Sequence, residues 1–190
     1  MHRIILPVAA CALALAAAPA LADRDHDRDR DHFSTKLSGF EEVGGVGAGQ
    51  TGSILSGGTA TLDLDLDRQT QTLTFTLTYS GLNAPITQAH VHFGKRHVGG
   101  GIMAFFCSNL GNGPAGTQAC PAPAGTVTGT ITPAEVIGPA GQGVAVGNFA
   151  GLVEALDNDT AYGNIHTTAF PAGEIRGQVR HRDRGHHGRD

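Results

Sequence analysis

The chain has 190 residues, 28 glycines and a formal net charge of −4. This length suits one ordinary domain, and glycine at roughly twice its usual share disfavours long helices, because each interior glycine costs a helix about 1 kcal/mol relative to alanine. The negative charge argues against a nucleic-acid partner, which would require a basic patch or stripe. Composition therefore favours a small, glycine-rich and mostly β domain.

The first 22 residues are predicted to form a secretory signal peptide. Arg3 supplies a positive start, residues 4–18 are an apolar run, and Ala20-Leu21-Ala22 is a small-x-small cleavage site. A competing lipoprotein-type cleavage box ends at Cys11, but cutting there would leave a very short apolar region. The apolar run is short for a membrane span and no later stretch approaches it, so we expect no transmembrane insertion. The expected location is the periplasm or the extracellular space.

Charged, histidine-containing segments flank the rest of the chain at residues 23–32 and 181–190. Neither has apolar periodicity, so neither can bury enough surface to offset the entropy of ordering, and we predict that both are disordered. Two interpretations of their histidines stay open. They provide solubility and spacing, or they weakly scavenge divalent transition metals.

Residues 33–180 are predicted to form one domain of short alternating segments. The first strand is predicted over 33–40. Segments 59–66 and 72–79 each place apolar residues on one face, with a turn between them, which indicates an antiparallel hairpin. Further strands are predicted, in chain order, over 88–93, 101–106, 125–132, 161–166 and 174–180, and one short helix over 148–156. About eight such strands indicate an all-β fold, an antiparallel β-sandwich or Greek-key barrel.

His90 and His92 are the first candidates for chemistry. Residues i and i+2 of a strand share a face, so both imidazoles project the same way and can ligate one metal. His166 joins them if its strand is a neighbour, and His97 in the following loop offers a fourth ligand. Copper and zinc are the ions that suit this set. The alternative is that these histidines hydrogen-bond the backbone and nearby side chains at the end of a sheet.

Cys107 and Cys120 are the two cysteines that remain after signal cleavage. An isolated pair 13 positions apart, in a Gly- and Pro-rich loop of an exported chain, predicts one disulfide. The alternative, a pair of thiolate metal ligands, suits a reducing compartment better.

Arg176 and Glu174 alternate along the last predicted strand. The structural interpretation is that these two residues form a cross-strand or inter-sheet ion pair. The functional interpretation is that Arg176 guides an anion or substrate toward the histidines.

The sequence has no Gly-x-Ser-x-Gly, phosphate-loop or HExxH motif, so no catalytic residue is assigned.

Short sequence blocks recur in a characteristic order along residues 33–180. The blocks are Leu37-Ser38-Gly39, Gly58-Thr59-Ala60-Thr61-Leu62, Leu73-Thr74-Phe75-Thr76-Leu77, Ala89-His90-Val91-His92-Phe93-Gly94, Asn164-Ile165-His166-Thr167-Thr168 and Gly173-Glu174-Ile175-Arg176-Gly177-Gln178-Val179. Their order resembles the CHRD domain, named after chordin. The resemblance implies an exported β-sandwich module and little biochemistry. The cysteine-rich repeats to which growth-factor binding by chordin is attributed do not occur in this sequence.

We therefore expect an exported, non-enzymatic binding module of the CHRD type, with copper or zinc held by the histidines as the sharper hypothesis. One alternative is a redox enzyme that uses His90, His92 and His166. The His-x-His-x-x-Gly pattern resembles the copper-binding strand of copper/zinc superoxide dismutase, although that enzyme has four histidines around copper. Another alternative is an envelope or adhesion protein that binds a second protein through a sheet face. The sequence does not identify that partner.

Overall fold

The computed structural model describes residues 30–44 and 52–182, and antiparallel strands are its main regular structure. The strands are β1 (Arg30–Ser38), β2 (Thr59–Asp67), β3 (Thr72–Ser80), β4 (Ile86–Phe93), β5 (Gly101–Ser108), β6 (Gly125–Ile131), β7 (Ala161–Thr167), β8 (Ile175–Gln178) and β9 (Arg180–His181). One α-helix, α1 (Phe149–Asp157), and three short 3-10 turns (Gly39–Glu41, Pro133–Glu135 and Ala140–Gln142) connect them. The predicted helix and all predicted strands are present, with small differences at their ends.

The strands form a single sheet that curls into a nearly closed barrel. Their order across the sheet is β5-β4-β7-β8-β1-β2-β3-β6, and β9 pairs with β1. The edge strands β5 and β6 face each other, and the Gln118 side chain bridges them by donating to the carbonyls of Phe106 (3.3 Å) and Thr128 (2.8 Å). The predicted all-β antiparallel class is thus confirmed.

The predicted hairpin of β2 and β3 forms one wall of the core. Leu62 pairs with Leu77 and Leu64 with Phe75, and these side chains point into the barrel. Burial of each such side chain contributes about 1.5–3 kcal/mol relative to exposure, so the alternation itself determines which face of the hairpin packs inward.

The helix α1 begins at a side-chain cap. The Asn148 carboxamide oxygen accepts a hydrogen bond from the Gly151 amide (2.9 Å), which satisfies one of the first N–H groups of the helix. Phe149, Leu152 and Leu156 are buried, as their helical spacing predicts. Among the described residues, no helix has the length and apolar character needed to cross a membrane.

The two ends of the barrel domain extend slightly beyond the predicted boundaries. β1 begins at Arg30, opposite Asp67, and the guanidinium of Arg68 pairs with Asp31 (2.6 Å) and Asp157 (2.8 Å). At the other end, His181 lies in β9, opposite Phe33. The far end of β2 gives residues 30–32 a hydrogen-bonding partner, and β1 gives one to the short strand β9. The segment predicted to be a signal peptide (residues 1–22), residues 23–29 and 183–190 of the predicted disordered tails, and residues 45–51 lie outside the described residues.

The predicted disulfide between Cys107 and Cys120 is confirmed. Cys107 lies near the end of β5 and Cys120 in the loop that leads to β6, and both are buried. Asn109 also holds this loop: its side chain donates to the Cys120 carbonyl (3.0 Å) and accepts from the Cys120 amide (2.9 Å). The crosslink therefore secures the segment that joins the two edge strands.

Replacing both cysteines, Cys107→Ala with Cys120→Ala, should lower the free energy of unfolding by about 3 kcal/mol, since the unfolded chain regains the entropy of a loop of this size. Urea denaturation of wild type and variant, each prepared under the same oxidising conditions, measures the difference. A free energy of unfolding equal to that of the wild type would show that Asn109 and the neighbouring strands alone hold the loop.

Candidate metal centre

Three histidines lie together on one face of two paired strands. In the antiparallel pairing of β4 with β7, Gln88 lies opposite His166 and His90 opposite Asn164. Gln88, His90 and His92 share a face of β4, because side chains alternate along a strand, so His166 faces the same side. On the other face, Ala89 and Val91 are fully buried in the core. The predicted neighbourhood of His166 with the pair is therefore present.

The three rings are buried although they lie on the outside of the barrel. His90 is fully buried, and His92 and His166 are each 7% exposed. The edge of the His90 ring meets Phe105 with the ring centroids 4.3 Å apart. Loops around residues 42–44, 94–101 and 170–173 cover the remaining side. The outer face of the sheet, which solvent would contact in a simple barrel, is therefore buried at this place.

Hydrogen bonds to these loops define the tautomers of two rings. Nδ1 of His92 donates to the Gly100 carbonyl and Nδ1 of His166 to the Pro171 carbonyl, each at 3.0 Å. A carbonyl only accepts, so Nδ1 carries the hydrogen and Nε2 keeps its lone pair. Neither Nε2 atom has a hydrogen-bond partner in the structure, and neither nitrogen of His90 has one.

The three rings also converge. One ring nitrogen from each of the three histidines lies within 4.8 Å of the others. Three nitrogens bound to one zinc at about 2.0–2.1 Å would lie roughly 3.4 Å apart in tetrahedral geometry, so shifts of about 1 Å bring the rings to that spacing. The structural alternative was that these histidines hydrogen-bond the backbone. It explains one ring nitrogen of His92 and one of His166, but it does not explain why His90 is buried without any hydrogen bond. The group could hold a metal ion.

Burial keeps all three imidazoles neutral. It is the largest cause that lowers the pKa of His90 to about 2, with further lowering by His166 and His92. Burial likewise lowers the pKa of His92 to about 4, against the opposing Gly100 hydrogen bond, and lowers the pKa of His166. Neutral imidazole is the form that binds metals, so no proton has to leave before binding at neutral pH.

A cavity of about 460 Å³ adjoins the histidines. Its walls include His92 and His166, together with Glu42, Tyr162 and Asn164. The cavity therefore brings solvent and small solutes to the edge of the cluster, between the covering loops and the sheet.

Tyr162 and Arg176 form a stack with His92, which sequence reasoning did not identify. The Tyr162 ring lies parallel to the His92 ring, with centroids 4.8 Å apart and an interplanar angle of 5°. The guanidinium carbon of Arg176 lies 3.5 Å from the centroid of the Tyr162 ring. Side chains alternate along β7, so Tyr162, Asn164 and His166 share one face. This alternation is the sequence signal from which Tyr162 could have been assigned to the site.

Glu42 and Asn164 join a covering loop to the sheet beside His166. The Asn164 amide donates to the Glu42 carboxylate (2.6 Å) and to the Ile175 carbonyl (2.9 Å). The backbone amides of Val43 (2.8 Å) and Gly44 donate to the other carboxylate oxygen. Gly173, at φ 134°, leaves room for this contact, because a side chain there would collide with the Glu42 carboxylate.

The other candidate residues lie elsewhere. His97 occupies an exposed turn at φ 64° and is not among the three histidines that the described part of the chain brings together. Neither Arg176 nor Glu174 takes part in a salt bridge with a described residue. Glu174 instead accepts from the Ser56 hydroxyl (2.6 Å) and the Asn83 amide (2.7 Å). Arg176 is buried and is not among the residues that line the cavity beside the histidines.

Comparison with known proteins identifies one family. The model of the CHRD domain matches residues 33–179. Neither the curated proteins nor the solved structures that were searched contain a match to this chain.

The metal-free protein should lose stability as the pH falls from about 6.5 toward 4. The unfolded chain binds protons at histidine below its ordinary pKa of about 6.5, while the buried rings stay neutral until their lower pKa is reached. For His92, with a folded-state pKa of about 4, the loss approaches about 3 kcal/mol. Urea denaturation at several pH values in the presence of a chelator measures it.

The variant His92→Leu should weaken this pH dependence by removing one of three buried imidazoles, whereas the exposed His97→Ala should leave it as in the wild type. Equal pH profiles for His92→Leu and wild type would show that the buried histidine does not cause the acid loss.

Proposed function

The chain belongs to the CHRD domain family, and we propose that it is an exported β-sandwich module that binds one copper or zinc ion through His90, His92 and His166. The observation that carries the proposal is the set of buried ring nitrogens without hydrogen-bond partners. A buried polar group without a partner costs about 1–3 kcal/mol, and a bound ion would satisfy three of these groups at once.

The ligand chemistry favours copper or zinc over calcium or magnesium. All three candidate ligands are neutral imidazoles, and the group contains no carboxylate. Imidazole suits zinc and copper, whereas calcium and magnesium prefer oxygen ligands. The carbonyls of Gly100 and Pro171 that hold the Nδ1 hydrogens orient the Nε2 lone pairs, as outer-shell partners of metal-binding histidines commonly do.

Two observations support export. The Cys107–Cys120 disulfide suits an oxidising compartment, and the first 22 residues have the pattern of a signal peptide. Cleavage after Ala22 would remove that segment and leave the whole barrel domain in the mature protein.

The redox-enzyme alternative lacks one expected ligand. The copper site of the superoxide dismutase that the His90–His92 pattern resembles has four histidines, and within the described residues only three come together. We therefore propose binding without catalysis. Superoxide consumption by the copper-loaded protein, abolished by His90→Leu, would instead favour the enzyme.

The metal proposal predicts one equivalent of tightly bound copper or zinc in the wild-type protein and none in His90→Leu or His166→Leu. Leucine fills a similar volume and removes the ligand, so the barrel should still fold. After loading and desalting of the full chain, metal analysis gives the stoichiometry, and competition with a chromophoric chelator gives the affinity.

Two controls separate the cluster from other histidines. His97→Ala, in the exposed turn, should bind metal like the wild type, and so should a chain that lacks residues 183–190. Binding that survives in His90→Leu and His166→Leu and disappears with the terminal residues would contradict the proposal and assign the metal to a tail.

A further inference from the structure

The ligands of the proposed centre contribute no charge, so any charge that acts on the ion comes from elsewhere. Two ionic side chains are buried next to the cluster: Arg176 at 1% exposure and Glu42 at 4%. Neither takes part in a salt bridge with a described residue. Burial weakens solvent screening, so both charges act over longer distances than surface charges do.

Arg176 approaches the cluster from the His92 side. The strand β7 lies between β4 and β8, so His92 and Arg176 reach Tyr162 from opposite sides. The shared Tyr162 ring places the guanidinium within about 8 Å of the His92 ring, a range at which unit charges interact strongly in a protein interior. Nη2 of Arg176 donates a hydrogen bond to the Lys95 carbonyl (3.0 Å), and Nη1 of Arg176 has no hydrogen-bond partner.

Glu42 approaches from the His166 side. Its carboxylate lines the same cavity as His166, and Asn164, the next residue but one along β7, donates to it. Three N–H groups in all point at the carboxylate, which fixes its position relative to the sheet.

The two charges lie on different sides of the cluster. Arg176 lies against the Tyr162 ring that stacks on His92, and Glu42 lines the cavity wall together with His166. The cluster therefore lies between a fixed positive and a fixed negative charge.

We propose that Arg176, acting through Tyr162, and Glu42 are the residues that determine whether the centre prefers a monovalent or a divalent ion. The inference rests on the proposed metal function. Arg176 repels a dication twice as strongly as a monocation, and Glu42 attracts it twice as strongly, while three neutral imidazoles do not discriminate by charge. Arg176 and Glu42 are positioning residues here, since neither is a ligand.

The test compares Cu⁺ and Zn²⁺ affinities in Arg176→Gln and Glu42→Gln. Glutamine keeps much of each side chain and removes its charge. Both affinities are measured on the full chain by chelator competition, Cu⁺ under reducing conditions that spare the disulfide. The ratio of Zn²⁺ to Cu⁺ affinity should rise about tenfold or more in Arg176→Gln, as expected for one unit of charge at about 8 Å, and should fall in Glu42→Gln.

Matched variants separate charge from structure. Arg176→Lys keeps the charge and should restore most of the wild-type ratio, and Arg180→Gln removes an exposed arginine and should leave the ratio unchanged. If Arg176→Gln does not fold, Arg176→Met, which retains the length of the side chain, takes its place, and Glu42→Gln tests the opposite sign independently.

The inference is overturned if both variants change Cu⁺ and Zn²⁺ affinity by the same factor, which a merely structural role would produce, or if neither changes the ratio. That outcome is distinct from failure of the proposed function, in which the wild-type protein binds neither ion through its three histidines.

Discussion

Burial of three uncharged imidazoles against one another is the constraint on which the rest of this structure depends. His90, His92 and His166 bring polar nitrogens into a buried part of the protein, and several of those nitrogens find no partner in the protein. The strand pairing makes the arrangement possible, because β4 and β7 are neighbours in a register that places all three rings on the same side. The covering loops then determine which nitrogen of His92 and His166 keeps a lone pair.

The same constraint explains why both faces of β7 are buried. Ala161, Gly163 and Ile165 contribute to the barrel interior, while the alternate residues Tyr162, Asn164 and His166 form the floor of the histidine site. Loops from separate parts of the chain meet over this floor. Each is attached through a specific polar contact, as with Glu42 on Asn164, and not through apolar packing alone. The site is therefore a product of the whole barrel, since no single segment carries more than two of its ligands.

Local patterns in the sequence are sufficient to predict the strands, but they are not sufficient to predict which residues form the site. Alternation along β2 and β3 shows which residues face inward, and the spacing of His90 and His92 shows that they share a face, because both are properties of a single strand. Whether His166 is a neighbour depends on which strands pair, and that depends on the packing of the entire sheet. Glu42 lies in a loop far away in the sequence and is brought to the site only by the same packing, whereas alternation along β7 could have included Tyr162 once His166 was assigned. His97 looked suitable by proximity in sequence, but its turn points it to solvent.

The location of the histidines outside the barrel has a consequence for exchange with solution. The interior is filled by the leucines and phenylalanines of the hairpin and its neighbours, and opening it would require global unfolding. The histidines are covered by loops with few apolar anchors, and local opening of such segments costs less free energy than unfolding a core. A cavity already reaches His92 and His166 from the solvent side. An ion could then enter or leave by movement of the covering loops while the strands that position the ligands stay paired, so that rigid ligands and an accessible site coexist in one small domain.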